Sequence, residues 1–327
     1  MIQVMKTELI EKCDLLENNR DILRSVYEWD SDIMMLSAAS IYTALGVKAD
    51  VMKMKACEDI IERNSSDFLA IRGNVKMPIL CKMSLSADPE GYFNTLCRLY
   101  NELNTVPIIG NEYKIIAAML LADAGIGEDN EGLLPRTNSI YQHVRREHKW
   151  LTSDEDIPYA AILAVCDEDP LTFLDEGEKA FLELKNKFLD LNALQNLCNF
   201  LGVCVRDDIA EKCRQLINVF DLLKKQRHRY GNSFMLSSLG LTILSGDSAD
   251  DVAGDIIDAD DYLRHKKGFS DIALGFYERR MYAAQVVGLT SLDAFLSGES
   301  LKKQETVLKA CLTVVLMSAI TMTSTTI

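Results

Sequence analysis

Proline is scarce in this chain, with six among 327 residues. That removes the commonest helix breaker and, with 48% hydrophobic residues, fits an ordered, helix-rich protein. No sustained period-two alternation of apolar and polar residues occurs, so strand content should be near zero. Positive charge is also in deficit: 35 Lys and Arg face 49 Asp and Glu, leaving −14. A polyanion would be repelled by that average, so nucleic acid is not an expected partner. The nine cysteines contain no C-x-x-C pair, their number is odd, and most fall in apolar stretches. They read as reduced core thiols of a cytoplasmic protein. The first residues alternate charge with apolar side chains, so no signal peptide is expected. No GxxxxGK[ST], GxSxG, GxGxxG or HExxH is present, and no cofactor is expected. His143 and His148 are five apart, off the i, i+4 spacing of a zinc helix, while His228 and His265 sit inside basic clusters. A Cys–His pair could still converge from distant positions, but nothing specific points to one.

No linker divides the chain either, although 327 residues is long for one compact core. A repeat resolves that tension. Seven short apolar runs rich in small residues recur: Leu36–Leu45, Ile79–Leu85, Ile115–Ala124, Tyr159–Cys166, Leu194–Cys204, Met235–Leu244 and Met281–Leu289. Their ends are 40, 39, 41, 39, 40 and 44 residues apart, the period of helical-hairpin repeats. Each unit can bury its apolar face against the next.

The fourth unit displays the logic. Pro158 opens an inner run, Tyr159–Cys166, that is apolar on every side and therefore buried. Asp169-Pro170 pairs a capping carboxylate with a first-turn proline. Phe173, Gly177, Phe181, Leu184 and Phe188 then mark one face of an amphipathic outer helix. Asp88-Pro89, Asp207-Asp208 and Asp250-Asp251 start further outer helices, with stripes such as Phe93, Leu96, Tyr100 and Leu103. Gly46, Gly125 and Gly202 are expected to close inner helices in the left-handed conformation. The stretch Gly125–Asp154 is the least regular, with a shorter helix from about Thr137 to Lys149.

The expected fold is therefore all-α: one repeat domain over 1–327, with N-terminal cap helices in 1–30, repeats in 31–300, and a C-terminal helix and tail in 301–327. About seven hairpins would stack as a HEAT-like α-solenoid, a closed α/α toroid being the alternative. The last eighteen residues, 310–327, carry no charge, which by length alone allows a membrane anchor. Seven are Ser or Thr, so a capping helix with a frayed tail is expected instead.

The run Leu151-Thr-Ser-Asp-Glu-Asp-Ile-Pro-Tyr-Ala-Ala-Ile-Leu-Ala and the closing Glu278-Arg-Arg-Met-Tyr-Ala-Ala resemble an uncharacterised bacterial family, DUF4003. The resemblance would cover essentially the whole chain and rests on apolar helix faces and caps. It implies a bacterial, cytoplasmic, all-helical protein, and brings no activity or catalytic residue.

Two constellations invite a functional reading. Asp251, Asp255 and Asp258 lie at i, i+4 and i+7 on one helical face, where like charges repel by a few tenths of a kcal/mol each, as a rough figure. A divalent cation would neutralise them, and the loose DDxxxD echoes the Asp-rich helices of isoprenoid synthases. The plainer account is helix-start acidity on a solvated face. The second set is basic: Arg145 to Lys149, Lys224 to Arg229, and Arg264 to Lys267. Arg227 and His265 differ by 38 residues, about one repeat, which would set Arg227, Arg229, Arg264, His265 and Lys267 along one edge. An anionic peptide, phosphate or nucleotide could bind there. The competing account is macrodipole compensation, since outer helices begin acidic and end basic. The functional expectation is a non-catalytic scaffold for a protein or peptide partner. A metal-dependent enzyme using Asp251, Asp255 and Asp258 is the alternative.

Overall fold

The computed structural model describes residues 5–28, 32–64, 75–103, 111–125, 131–147, 154–166, 168–204, 208–231 and 233–324. All regular structure among them is helical, with no strand. In chain order the helices are α1 (Thr7–Arg24), α2 (Asp32–Ala44), α3 (Val51–Arg63), α4 (Lys76–Leu85), α5 (Pro89–Leu103), α6 (Asn111–Ala122), α7 (Leu133–Glu147) and α8 (Ile157–Val165). They continue with α9 (Pro170–Leu184), α10 (Leu191–Cys204), α11 (Ile209–Lys225), α12 (Leu236–Gly240), α13 (Ala249–Arg264), α14 (Phe276–Thr290), α15 (Leu292–Leu296) and α16 (Leu301–Ser324). The even-numbered helices α2 to α14 carry the seven apolar runs. In the sixth run the helix tightens into a 3-10 segment over Leu241–Ser245.

The chain forms two compact units, Met1–Asn18 with Thr172–Ser318, and Asn19–Leu171 with Ala319–Ile327. In the second of these, inner helices pack on inner helices (α2 on α4, α6 on α8) and outer on outer (α3 on α5, α5 on α7). The first unit repeats the pattern with α10 on α12, α12 on α14 and α11 on α13. Burial follows the sequence. Every described residue of α8 from Ile157 to Ala164 is buried, while α5 buries Phe93, Leu96, Tyr100 and Leu103 and exposes Asn94 and Arg98. Each such large side chain contributes about 1.5–3 kcal/mol. Phe181, expected on the apolar face of α9, is only half-buried, as is Phe220 of α11.

The caps at Asp88 and Asp169 form as expected, accepting from the Gly91 and Leu171 amides at 2.9 and 3.1 Å. Asp208 caps α11, and Asp207 lies outside the described residues. At α13 the cap is Ser248, whose hydroxyl accepts from the Asp251 amide at 3.2 Å. Asp250 and Asp251 occupy the first turn instead, where the helix dipole favours them.

The glycines divide differently from expectation. Gly46 has φ +67 and closes α2, but Gly125 is not in the left-handed region and Gly202 lies inside α10. Gly202 serves packing: a methyl group there would sit 2.4 Å from the Phe173 carbonyl oxygen and 2.9 Å from the Gly177 nitrogen. Helices α9 and α10 therefore meet backbone to backbone.

None of the nine cysteines is in a disulfide, and only Cys97 escapes full burial. Burial pushes Cys57 up to about 11 and Cys13, Cys81 and Cys213 up to about 12, which keeps these thiols protonated at neutral pH. The C-terminal α16 is buried along most of its length. Among the described residues no helix is long and apolar enough to cross a membrane.

Candidate functional site

The acidic face of α13 is already neutralised in part by the chain itself. Asp255, 6% exposed, accepts from Lys6, the residue before α1, at 2.7 Å, and Lys6 also reaches Asp247 at 3.0 Å. Asp251 turns away to accept from the Ser248 hydroxyl at 2.7 Å. Asp258 is half-buried, and burial, with Asp255 and Asp261 nearby, lifts its carboxyl above the usual range. Burial does the same to Asp255, against the opposing pull of Lys6. Among the described residues, no three His, Cys, Asp or Glu side chains are grouped to hold a metal. Further along, Asp14 of α1 accepts from Tyr262 and Lys266 at 2.8 and 2.7 Å, so α1 lies along α13.

Lys6→Met would leave Asp255 buried without its counter-ion. Discounting for the half exposure of Lys6, the loss at pH 7 should be about 1–2 kcal/mol. The penalty belongs to the ionised carboxylate, whose folded pKa is raised. It should therefore shrink as pH falls towards the unfolded value near 4. Urea denaturation of both proteins at pH 7 and pH 4 measures it, and an equal difference at both values would contradict the assignment.

The basic clusters assemble a site. Helix α11 ends at Lys225, α13 ends at Arg264, and α14 begins at Phe276. Where these ends meet lies a cleft of about 480 Å³, within the size range of small-ligand and side-chain pockets. Arg227, Arg229 and Arg264 line it, whereas His265 and Lys267 do not. Arg145 and Arg146 are exposed at the end of α7, and Lys149 lies outside the described residues.

Asp260 is the internal post of this cleft. It is 1% exposed and accepts from Arg279 Nε at 2.7 Å and Arg280 Nε at 3.2 Å, with His228 Nδ1 at 3.4 Å. Arg279, 2% exposed, also donates to Asp271 at 2.6 Å and the Phe269 carbonyl at 3.1 Å. That Arg279 bond, helped by Arg264, holds the Asp271 carboxyl below its usual range. Arg280 donates to the Arg229 carbonyl at 2.8 Å and lies 5.1 Å from the centroid of the Phe276 ring, a cation–π contact that stiffens its fork. Phe276 and Tyr277 remain 44% and 39% exposed at the rim.

Arg227 and Arg229 differ from their neighbours. Both are exposed, and among the described residues neither has a carboxylate partner. Arg227 also holds φ +65 immediately after the C-cap Gln226, the position where glycine is usual. An L-residue costs about 1 kcal/mol there. Macrodipole compensation does not require it, because Lys224 and Lys225 already fill the last turn of α11. Five arginines against three aspartates leave the cleft with two positive charges, a local inversion of the −14 carried by the chain.

Arg279 and Arg280 belong to this site although the sequence alone assigns them no role; their one signal is two adjacent cations opening an apolar inner helix. Neither the curated proteins nor the solved structures gave a match to this chain. The sequence profile of the family described as "Protein of unknown function (DUF4003)" matches residues 20–321, and the chain belongs to that family.

Proposed function

We propose that this chain is a cytoplasmic, non-catalytic helical-repeat scaffold that docks an acidic segment of a partner protein in the arginine-lined cleft. Within each unit, the pairing of inner with inner and outer with outer helices supports a HEAT-like stack of hairpins. The observation that carries the docking role is the pair of uncommitted guanidiniums, Arg227 and Arg229, beside the half-exposed Phe276 and Tyr277. Arginine and aromatic side chains concentrate at the energetic centres of interfaces. Fixed arginines facing outward recruit carboxylates, and the aromatic rim accepts an apolar neighbour of those acids. Buried thiols such as Cys81, Cys198 and Cys213, none of them in a disulfide, fit a reducing compartment.

A benzophenone side chain installed in place of Tyr277 tests this in the native cell. The expected product is a crosslink to an Asp- or Glu-rich peptide, lost when Arg227→Glu/Arg229→Glu is introduced. Identical crosslinks from the charge-reversed protein, or recovery of lipid or nucleic acid alone, would defeat the docking role.

A further inference from the structure

We infer that the anionic group this cleft takes is a phosphomonoester, gripped by Arg227 and Arg229 with Arg280 behind them. The inference rests on the docking role proposed above and specifies its chemistry. Charge is the first argument. The lining carries two uncompensated positive charges. A phosphomonoester carries about −1.5 to −2 near neutral pH, whereas one carboxylate carries a single charge.

Donor geometry is the second. A guanidinium presents parallel N–H groups that match phosphate oxygens in pairs. Arg279 spends its donors on Asp260, Asp271 and the Phe269 carbonyl. Its role is to hold Asp260 and thereby the fork of Arg280, whose remaining donors stay available. Arg227 and Arg229 have spent none on a carboxylate among the described residues.

The backbone supplies the third. Arg227 occupies a left-handed position that glycine would fill without strain. Strain kept at a residue whose side chain opens on a cleft is the pattern of a functional position.

Calorimetric titration of the full chain with three probes tests this: a short peptide bearing one phosphoserine, the same peptide with glutamate there, and inorganic phosphate. The phosphopeptide should bind about tenfold tighter than its glutamate counterpart. Arg229→Gln and Arg227→Gly should each erase that preference, and Arg227→Gly should do so while raising the melting temperature. Tighter binding of the peptide than of inorganic phosphate assigns the phosphoryl group to a protein, and the reverse order assigns it to free phosphate. Equal affinity for phosphoserine and glutamate peptides, or an undiminished preference in the arginine variants, overturns the phosphate inference and leaves acidic docking standing. Absence of binding by all three probes overturns it as well, and the Tyr277 crosslink then decides the docking role separately.

Discussion

Asp260→Ala should lower the stability of the protein by about 3–5 kcal/mol, the usual cost of breaking a buried ion pair from one side. Asp260 is 1% exposed and Arg279 2% exposed, so water cannot replace the missing oxygens around the guanidinium. Asp271 and the Phe269 carbonyl would still hold one end of Arg279, which places the loss nearer the lower bound. Arg280 and His228 would lose their shared neighbour too. The double variant Asp260→Leu/Arg279→Met should recover much of the stability, since an apolar pair of similar volume removes both desolvated charges. It should not restore the cleft, because Arg280 would lack its brace. Urea denaturation of the two variants measures the effect, and a single-variant loss under about 1 kcal/mol would show that Asp260 is not the post described here.

Glycine to alanine at position 202 should cost about 3 kcal/mol, although alanine is the better helix former by about 1 kcal/mol. The helix preference loses because the new methyl group meets backbone atoms: the Phe173 carbonyl oxygen at 2.4 Å and the Gly177 nitrogen at 2.9 Å. Neither can rotate aside, so α9 and α10 would have to separate. Gly288→Ala poses the same conflict with the Leu241 carbonyl carbon and oxygen, each 2.6 Å away. Gly46→Ala is the informative contrast. Nothing lies within 4 Å of its added carbon, and only the left-handed φ of +67 opposes it, so its loss should be about 1 kcal/mol. Thermal melts of the three variants order the effects, and parity between Gly202→Ala and Gly46→Ala would refute the close approach of α9 and α10.

The all-helical class was legible because small apolar runs at this spacing read as buried helices. Tyr159–Cys166 reads as a buried helix from its composition alone, and Asp88-Pro89 and Asp169-Pro170 mark helix starts without ambiguity. Glycines were harder. Gly46 follows one apolar run and Gly202 sits near the end of another, and nothing local separates a residue that ends a helix from one that lets two helices touch. Ser248 and Asp250 are both good capping types, so the true cap of α13 depended on register. The cleft was half legible: the 38-residue spacing points to one edge shared by α11 and α13, where Arg227, Arg229 and Arg264 line the cleft and His265 and Lys267 do not. Arg279 and Arg280 carry no local signal of a site, because their partner, Asp260, lies on a different helix. Lys6 and Asp255 are 249 residues apart, and no pattern in one chain announces such a pairing.

That long reach bears on how the molecule comes into being. At about 5–20 residues per second, a ribosome takes on the order of 12–50 s to travel from α1 to the segment that α1 grips. Throughout that interval Lys6 and Asp14 belong to a nascent chain whose Asp255, Tyr262 and Lys266 are unmade. Contacts so far apart in sequence close late and slowly, so the seam between α1 and α13 waits on synthesis of more than two hundred intervening residues.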